Sequence, residues 1–413
     1  MNTRKLRGEQ IAKTVQIEKK GLDKWIVPSQ TGNGSYTVNR MGEGFKCSCP
    51  DFQMRNQTCK HIYAVEIKVL RWFDSKGNSG TEITITQTKR MTYSQNWTNY
   101  DKAQTNEKEL FMKLLSDLCQ DVEEPLYKFG RPNLPLKDMV FSSALKVYTT
   151  FSLRRFISDL RTAKEKRYIT QTCSYRSVSG YMQDEKLTPI LQNLLTLSAL
   201  PLRSVETKFA IDSTGFRTTH FNEYCKEKHN TGRDHDWIKA HICSGVSTHI
   251  ITSVEVLPEN SGDSPQFIPL AEKTHNAGFT IDEMSADKAY SSRDNNAYID
   301  KIGGTPYIAF RSNATGKPKG NNHIWRKMYN YFVYNREDFL QHYHLRSNVE
   351  STNNMIKSKT TDMVRSKDKT AQINEVLLKV LCHNICVLIS AMFEFGIDTN
   401  LVVIKNNIDI PLS

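Results

Sequence analysis

The sequence predicts an α/β domain with a mixed sheet and flanking helices, preceded by a small zinc-finger module and a mostly helical domain. Three observations support this prediction. From Lys208 onward, apolar runs of strand length alternate with helical patterns, which is typical of a sheet covered by helices. Residues 107–205 carry apolar side chains mostly at helical spacing. Nearer the start of the chain, three cysteines and a histidine lie within one short segment, as in a structural zinc site.

The zinc-finger module is predicted at residues 1–73, with its core at residues 36–73. Its candidate ligands have the spacing Cys-x-Cys-x9-Cys-x-His and are Cys47, Cys49, Cys59 and His61. Three thiolates and an imidazole complete a tetrahedral structural Zn²⁺ site with no open position for catalysis. The segment should be too short to bury a core, so metal binding would supply its folding energy. The spacing resembles the SWIM-type zinc finger, which occurs in DNA-binding and protein-binding settings; the alternative is a set of unrelated buried cysteines.

A polar linker is predicted at residues 74–106, which are rich in Gly, Ser, Thr, Gln and Asn, with one short strand at Glu82 to Thr86. The helical domain at residues 107–205 is interrupted by a proline-rich segment. Its predicted basic face consists of Lys146, Arg154, Arg155, Arg161, Lys164, Lys166 and Arg167. Two interpretations remain open for this domain: a helix-turn-helix-like DNA-binding domain or a helical scaffold.

The third predicted domain, residues 206–395, begins with the strand KFAIDSTGF, which should end at Asp212. A hairpin, a helix and a strand leading to Asp287 follow, and then a second helix and the apolar strand TPYIAF. Each aspartate would lie at the C-terminal end of a buried strand, where open sheets place their active sites. Taken singly, either aspartate is more often a turn or helix-cap residue. In the hairpin, core packing is the favoured role for Trp237, with stacking on an unpaired base as the alternative.

Residues 343–357 form the segment to which we assign the chemistry. Tyr343, Arg346, Glu350 and Lys357 are spaced 3, 4 and 7 residues apart, which keeps them on one face of a helix. Several asparagines make the helix weak by propensity, so tertiary contacts must hold it. A carboxylate among Tyr, Arg and Lys suits a site that binds phosphate and metal together. The alternative is an ordinary solvated amphipathic helix.

Residues 205–395 resemble the DDE transposases of prokaryotic insertion sequences, of the insertion-sequence 4 type. The resemblance rests on DSTG at Asp212, SADKAY at Asp287 and the signature Tyr-x2-Arg-x3-Glu-x6-Lys. It implies a ribonuclease-H-like catalytic domain. It also implies that the catalytic and Mg²⁺-binding (or Mn²⁺-binding) residues are Asp212, Asp287 and Glu350. By the same resemblance, the residues that bind DNA phosphates are Tyr343, Arg346 and Lys357.

The resemblance further implies a transposase that binds the terminal inverted repeats of its element and cleaves and transfers DNA strands by a two-metal mechanism. The partners would be these repeats, the target DNA and a second copy of the chain in a homodimer. The segment before the signature is shorter than the β-strand insertion domain of some relatives, which leaves a hairpin-ended intermediate open. Two alternatives are a domesticated, inactive DNA-binding protein and a nuclease of the same fold that does not join strands.

The charge of the chain agrees with a polyanionic partner. The net charge is +12 and the sequence pI is about 9.1, which favours nucleic acid binding. Basic residues dominate residues 1–100 and 301–370, whereas acidic residues dominate residues 251–300 around Asp287. Basic flanks around an acidic centre fit DNA held by its phosphates near metal-binding carboxylates. The alternative is a solvated basic surface.

Other classes of protein are disfavoured. No stretch approaches 18 apolar residues, so no membrane span is expected, and the first residues lack the apolar core of a signal peptide. We therefore expect a cytoplasmic, nucleoid-associated protein of a prokaryote. Nine cysteines argue against a disulfide framework. A second metal site at Cys225, His229 and His235 is disfavoured, and Cys382, His383 and Cys386 are expected in the core. Residues 396–413 form a tail.

Overall fold

The computed structural model describes residues 3–20, 24–30, 34–41, 44–55, 57–75, 96–120, 122–126, 129–130, 132–218, 237–258, 261–317 and 323–397. The chain divides into two units, Met1–Thr92 and Tyr93–Ser413. Some sequence predictions fall outside the described residues: the strand at 82–86, the group at 225–235 and most of the tail.

The N-terminal unit combines a four-stranded antiparallel sheet with helices. Its elements are α1 (Thr3–Thr14), β1 (Glu18–Lys19), β2 (Lys24–Pro28), β3 (Ser35–Met41), β4 (Gly44–Cys47), α2 (Pro50–Arg55) and α3 (Lys60–Ser75). The strands follow the order β1-β2-β3-β4, and α1 packs against α3. The unit therefore contains folded elements well before the predicted core at residues 36–73.

This unit has a hydrophobic core, to which residues outside the cysteine-bearing segment contribute. Ile11, Val27, Val38 and Val65 are completely buried and belong to one cluster. The apolar surface comes partly from α1 and β2, which precede the segment that carries the cysteine pattern. Apolar burial therefore stabilises the unit, so metal binding need not supply all of its folding energy.

The C-terminal unit begins with helices. They are α4 (Trp97–Thr105), α5 (Glu107–Cys119), α6 (Leu136–Thr149), α7 (Leu153–Glu165), α8 (Tyr175–Met182) and α9 (Leu187–Ala199). Helix α4 lies in the segment predicted as a polar linker. The side chain of Asn96 caps it by accepting a hydrogen bond from Asn99 N at 3.2 Å, and α4 packs against the last helix of the chain. Capping and tertiary packing thus override its polar composition.

The sheet of this unit is mixed and covered by helices, as predicted. Its strands are β5 (Lys208–Arg217), β6 (Trp237–Gly245), β7 (Ile251–Pro258), β8 (Glu283–Ala286) and β9 (Thr305–Ile308). Their order is β7-β6-β5-β8-β9; β5, β6 and β7 pair antiparallel, whereas β5, β8 and β9 pair parallel. The predicted hairpin is β6 and β7. The two predicted connecting helices are α10 (Phe267–Asn276) and α11 (Arg293–Lys301).

After β9 come α12 (His323–Tyr334), α13 (Arg336–Tyr343), α14 (Ser347–Thr360) and α15 (Lys369–Phe395). A 3-10 turn at His344–Arg346 separates α13 from α14, so the predicted single helix through residues 343–357 was wrong. Helix α12 packs with β9 and α13 in an aromatic cluster that includes Phe310, Trp325 and Phe339. This cluster anchors the segment that leads to Glu350.

Helices and sheet of the C-terminal unit share one hydrophobic core. Helix α15 lies in it, and Cys382, His383 and Cys386 are buried as expected. By length and composition α15 could cross a membrane, but 83% of its most apolar window is buried inside the protein. The statement that no stretch approaches 18 apolar residues was therefore wrong, and burial identifies α15 as a core helix.

Lys146 departs from the predicted basic face of the helical region. It is only 6% exposed on α6, and burial lowers the pKa of its amine. The other six predicted basic residues are exposed. The basic surface of this region therefore lies on α7 and the two residues that follow it.

Candidate active site

The strand register brings Asp212 and Asp287 side by side. Parallel pairing between β5 and β8 ends with Ile211 opposite Ala286, and each aspartate is the next residue of its chain segment. The expectation that the first strand ends at Asp212 was wrong, because antiparallel pairing with β6 carries β5 on to Arg217. Both aspartates nevertheless lie at the carboxyl edge of the parallel part of the sheet, where catalytic groups are common.

The two aspartates have different surroundings. The Asp212 side chain is 19% exposed. Burial raises the pKa of its carboxyl, and Glu350 and Asp287 raise it further, whereas the Ser213 N–H and the Arg346 guanidinium lower it. Asp287 accepts a hydrogen bond from Lys288 N at 2.6 Å and caps the 3-10 turn Lys288–Tyr290. Asp212 therefore titrates within a cluster of acids, while the turn fixes the orientation of Asp287.

Arg346 joins Glu350 to Asp212. Its Nη2 lies 2.6 Å from Glu350 Oε1, and its Nη1 lies 3.7 Å from Asp212 Oδ1. Val349 on α14 is completely buried against Ala210 and Val246 of the sheet, which holds the first turn of α14 beside β5. The carboxylate of Glu350 is thereby directed toward that of Asp212, with a guanidinium between them.

Tyr343 belongs to the same group, whereas Lys357 lies farther along α14. Burial raises the pKa of the Tyr343 phenol, and the nearby Arg346 charge lowers it. Lys357 Nζ lies 5.6 Å from the centre of the Phe216 ring, close to the charges of Asp362 and Arg217. Of the six residues predicted from the sequence, Arg346 and the four acidic or phenolic groups around it lie together, and Lys357 lies toward the far end of β5.

Cation binding suits this donor set. Carboxylate oxygens are the ligands that Mg²⁺ and Mn²⁺ prefer, and the Arg346 guanidinium already compensates negative charge at the same place. Asp212, Asp287 and Glu350 could therefore hold a divalent cation, and Arg346 would share their oxygens with it.

The candidate zinc ligands of the N-terminal unit converge. All four side chains are buried, and the sulfurs of Cys47 and Cys59 each lie 3.9 Å from His61 Nδ1. Tetrahedral Zn²⁺ sites, with bonds of about 2.3 Å to sulfur and 2.0 Å to nitrogen, place ligand atoms roughly 3.5–3.8 Å apart. Hydrogen bonding with Cys47 and His61 lowers the pKa of the Cys59 thiol. The residues therefore fit a structural zinc ion.

Two family models match the chain. Residues 203–385 match the one described as "Transposase DDE domain", and residues 36–70 match the one described as "SWIM zinc finger". The chain contains a DDE transposase domain. Among solved structures, it is similar to a piggyBac transposase in a synaptic complex with hairpin DNA, determined by cryo-EM, with 11% identity, a TM-score of 0.35 and coverage of 78% of this chain and 80% of the other. No curated protein matches the sequence.

Sequence reasoning missed a group of buried polar residues in the DDE domain, on the opposite face of the sheet from α14. Tyr290 and His241 are 1% and 0% exposed, and the Tyr290 hydroxyl lies 3.1 Å from His241 Nδ1. Asp263 and Lys239 extend this group. A signal was present, because Tyr290 is part of SADKAY and His241 interrupts an apolar strand.

Two further features of the DDE domain concern its surface. Trp237 is 53% exposed, so its predicted core packing was wrong. Its ring covers Gly215, where a Cβ would lie 2.7 Å from the ring. A cavity of about 820 Å³ opens beside Asp287 and is lined by Phe310, Arg311, Tyr329, Phe332 and Arg336, among others.

Proposed function

We propose that this protein is a prokaryotic transposase of the insertion-sequence 4 type. It would bind the ends of its element as a homodimer, cleave the DNA there and join the released ends to target DNA. The observation that carries the proposal is the register that sets Asp212 beside Asp287, with Glu350 joined to Asp212 through Arg346. The strand order β7-β6-β5-β8-β9 supports a ribonuclease-H-like catalytic domain.

In this proposal Asp212, Asp287 and Glu350 hold two Mg²⁺ or Mn²⁺ ions. When bound, such a pair activates the attacking oxygen and stabilises the leaving oxygen of a phosphodiester. Arg346 presents a planar guanidinium that matches two phosphate oxygens, and Tyr343 supports its orientation. Lys357, two helical turns beyond Glu350, would contact a phosphate farther along the strand.

The remaining parts of the chain fit a DNA-bound enzyme. The net charge of +12 and the exposed basic residues of α7 support binding to DNA phosphates. The zinc finger would be a structural module with its Zn²⁺ held by Cys47, Cys49, Cys59 and His61. We propose a cytoplasmic, nucleoid-associated location for the protein.

The test uses purified protein, DNA that carries the ends of the element, and Mg²⁺. The unaltered protein should nick the ends and produce joined products. Glu350→Ala should abolish both while a gel-shift assay shows unchanged DNA binding. Glu337→Ala, which removes an exposed acid from the first turn of α13, is the matched control and should retain activity.

The products of this experiment also separate the alternatives. A nuclease of the same fold would give cut ends without joined products, and an inactive DNA-binding protein would give neither. Cleavage of the donor ends by Glu350→Ala in Mg²⁺ would contradict the assignment of the acids.

A further inference from the structure

Tyr290 connects the turn after β8 to the back of the sheet. Its backbone N–H donates to Asp287 O at 2.9 Å, so it closes the turn that Asp287 begins. Its hydroxyl lies 3.1 Å from Nδ1 of His241 on β6, and its ring packs near Phe267 of α10. The Tyr290 side chain thus connects the turn that begins at Asp287 with β6, which lies on the other side of β5 from β8.

His241 is the partner that makes this link relevant to Asp212. In the β5–β6 pairing, His241 lies opposite Ser213, the residue after Asp212. Alternate residues of a strand face opposite sides, so Ser213 and His241 lie behind the sheet while Asp212 faces α14. The Tyr290 hydroxyl therefore contacts the face of the sheet opposite α14, at the position along the strands where Asp212 and Asp287 lie side by side.

The link is fixed at both ends. Asn295 Nδ2 donates to Tyr290 O at 2.7 Å, which holds the backbone of the turn. His241 Nδ1 also lies 3.7 Å from Asp263 Oδ1, and Asp263 pairs with Lys239. Burial lowers the pKa of His241 and raises that of Tyr290, so the hydroxyl–imidazole pair is neutral, which suits a buried site.

We propose that Tyr290 is a positioning residue whose hydroxyl, anchored on His241, fixes the Asp287 turn relative to β5 and thereby sets the separation of the Asp212 and Asp287 carboxylates. The inference rests on the proposed function, because it assumes that these carboxylates share cations. Displacements of about 1 Å can cost a site of this kind roughly 100-fold. Phenylalanine would fill the same volume, so packing alone does not need the hydroxyl.

The experiment compares Tyr290→Phe with the unaltered full-length protein. Mn²⁺ binding to the DNA-free protein, followed by electron paramagnetic resonance, should weaken by roughly 10-fold, as for other residues that orient metal ligands. The rate of DNA cleavage should fall at limiting Mn²⁺ and recover at saturating Mn²⁺. The Tm should fall by only a few degrees, because His241 Nδ1 loses a buried partner, and the Kd for DNA without metal should stay unchanged. Tyr298→Phe, on α11, is the matched control, because its phenol is partly buried and senses Glu272 rather than the acids of the site.

A second variant tests whether the effect of Tyr290 depends on its hydrogen bond with the His241 imidazole. His241→Asn should weaken Mn²⁺ binding to a similar extent, and the double variant should be no weaker than either single one, because both changes break one link. If His241→Asn does not fold, Tyr290→Phe alone decides. Mn²⁺ binding and cleavage by Tyr290→Phe equal to those of the unaltered protein would overturn the inference.

The same titration distinguishes failure of the proposed function. If the unaltered protein binds no Mn²⁺, or if Asp287→Asn binds it equally well, the proposed metal site itself fails. If Asp287→Asn loses Mn²⁺ and Tyr290→Phe does not, only the positioning role fails.

Discussion

At the scale of single residues, Arg346 compensates the negative charge of the neighbouring carboxylates in the candidate site. A guanidinium 2.6 Å from Glu350 and 3.7 Å from Asp212 offsets the repulsion of neighbouring carboxylates. It also competes with any cation for the same oxygens. Arg346, which would bind a DNA phosphate, therefore also stabilises the site in the absence of DNA and metal.

Replacement of Arg346 by alanine should separate these two roles. Mn²⁺ binding to the DNA-free protein should become tighter, because a competing positive charge is gone. The single-turnover rate of DNA cleavage should fall by roughly 10²–10³, as for loss of one donor to a charged transition state. Arg346→Lys keeps the positive charge but lacks the planar guanidinium. It should therefore reduce the cleavage rate while tightening Mn²⁺ binding less than Arg346→Ala does. Weaker Mn²⁺ binding by Arg346→Ala would contradict the competition.

The surroundings of Asp212 predict a dependence of stability on pH. Burial raises its pKa in the folded protein, so the folded state holds this proton more tightly than the unfolded state does. The group therefore favours the folded state at low pH, and that contribution is lost as the pH rises through the folded pKa. Asp212→Asn should consequently raise the free energy of unfolding at neutral pH by an amount on the order of 1 kcal/mol, a gain that shrinks in acid. Urea unfolding at several pH values measures this, and Asp282→Asn, at an exposed position, should change nothing.

At the scale of elements, the segment after α14 depends on one buried lysine. Lys379 of α15 is 1% exposed, and its amine donates to the carbonyls of Thr360, Thr361 and Met363 at 2.6, 2.8 and 3.2 Å. Thr361 has a positive φ of 70°, so the backbone there is held in a strained turn. The lysine thus fixes the end of the helix that carries Glu350.

Lys379→Met should destabilise the protein by about 2–4 kcal/mol, because one buried and two partly buried carbonyls lose their donor while the volume is nearly kept. Guanidinium chloride unfolding gives the value. Lys369→Met, at the start of the same helix, is the control and should leave the stability within about 0.5 kcal/mol. Equal stabilities of the two variants would show that water or a shifted backbone replaces the lysine.

Removal of one zinc ligand is expected to cause a local loss of structure in the N-terminal unit. Cys59→Ser should release the zinc, measured by elemental analysis, and should increase amide hydrogen exchange in β3 and β4, whose chain leads into the ligands. The apolar cluster around Ile11 and Val27 should preserve slower exchange in β2. Cys119→Ser replaces a buried cysteine of the other unit and should retain the zinc.

The elements also show where sequence reasoning succeeds. The strands and helices between Lys208 and Ile308 could be predicted because apolar runs and glycine stops are local signals, as at Gly303 with its φ of 87°. The length of β5 could not be predicted, because β6 supplies its pairing partner from 20 or more residues away along the chain. The break between α13 and α14 was also not predicted, since a 3-10 turn places side chains i and i+3 on one side of the chain, as an α-helix nearly does.

At the scale of the whole molecule, the sequence does not show whether an apolar helix lies in a membrane or in the protein core. Helix α15 has the composition of a membrane span, yet it is covered by α4, α6 and α9 and the sheet. The linear sequence does not show which elements will cover a helix. The candidate site is also a property of the whole domain, because residues 212, 287 and 350 meet only through the register of β5 with β8 and the packing of α14. The family resemblance names these three residues together, whereas the buried Tyr290–His241 pair follows only from the packing of the turn after β8 against β6.

The distribution of charge yields a final prediction about the helical region. If α7 contacts DNA, Arg161→Glu together with Lys164→Glu should weaken binding to DNA of the element ends by roughly 10-fold or more, because each residue on a phosphate releases counterions. The plot of log Kd against log salt concentration should also become shallower by about 1 per lost contact. Lys301→Glu together with Lys369→Glu, at exposed positions on α11 and α15, controls for the same change in net charge. Fluorescence anisotropy across a salt series gives both numbers. An α7 double variant with unchanged affinity and slope would identify the region as a scaffold, and the DNA-binding charge would then have to lie elsewhere on this basic chain.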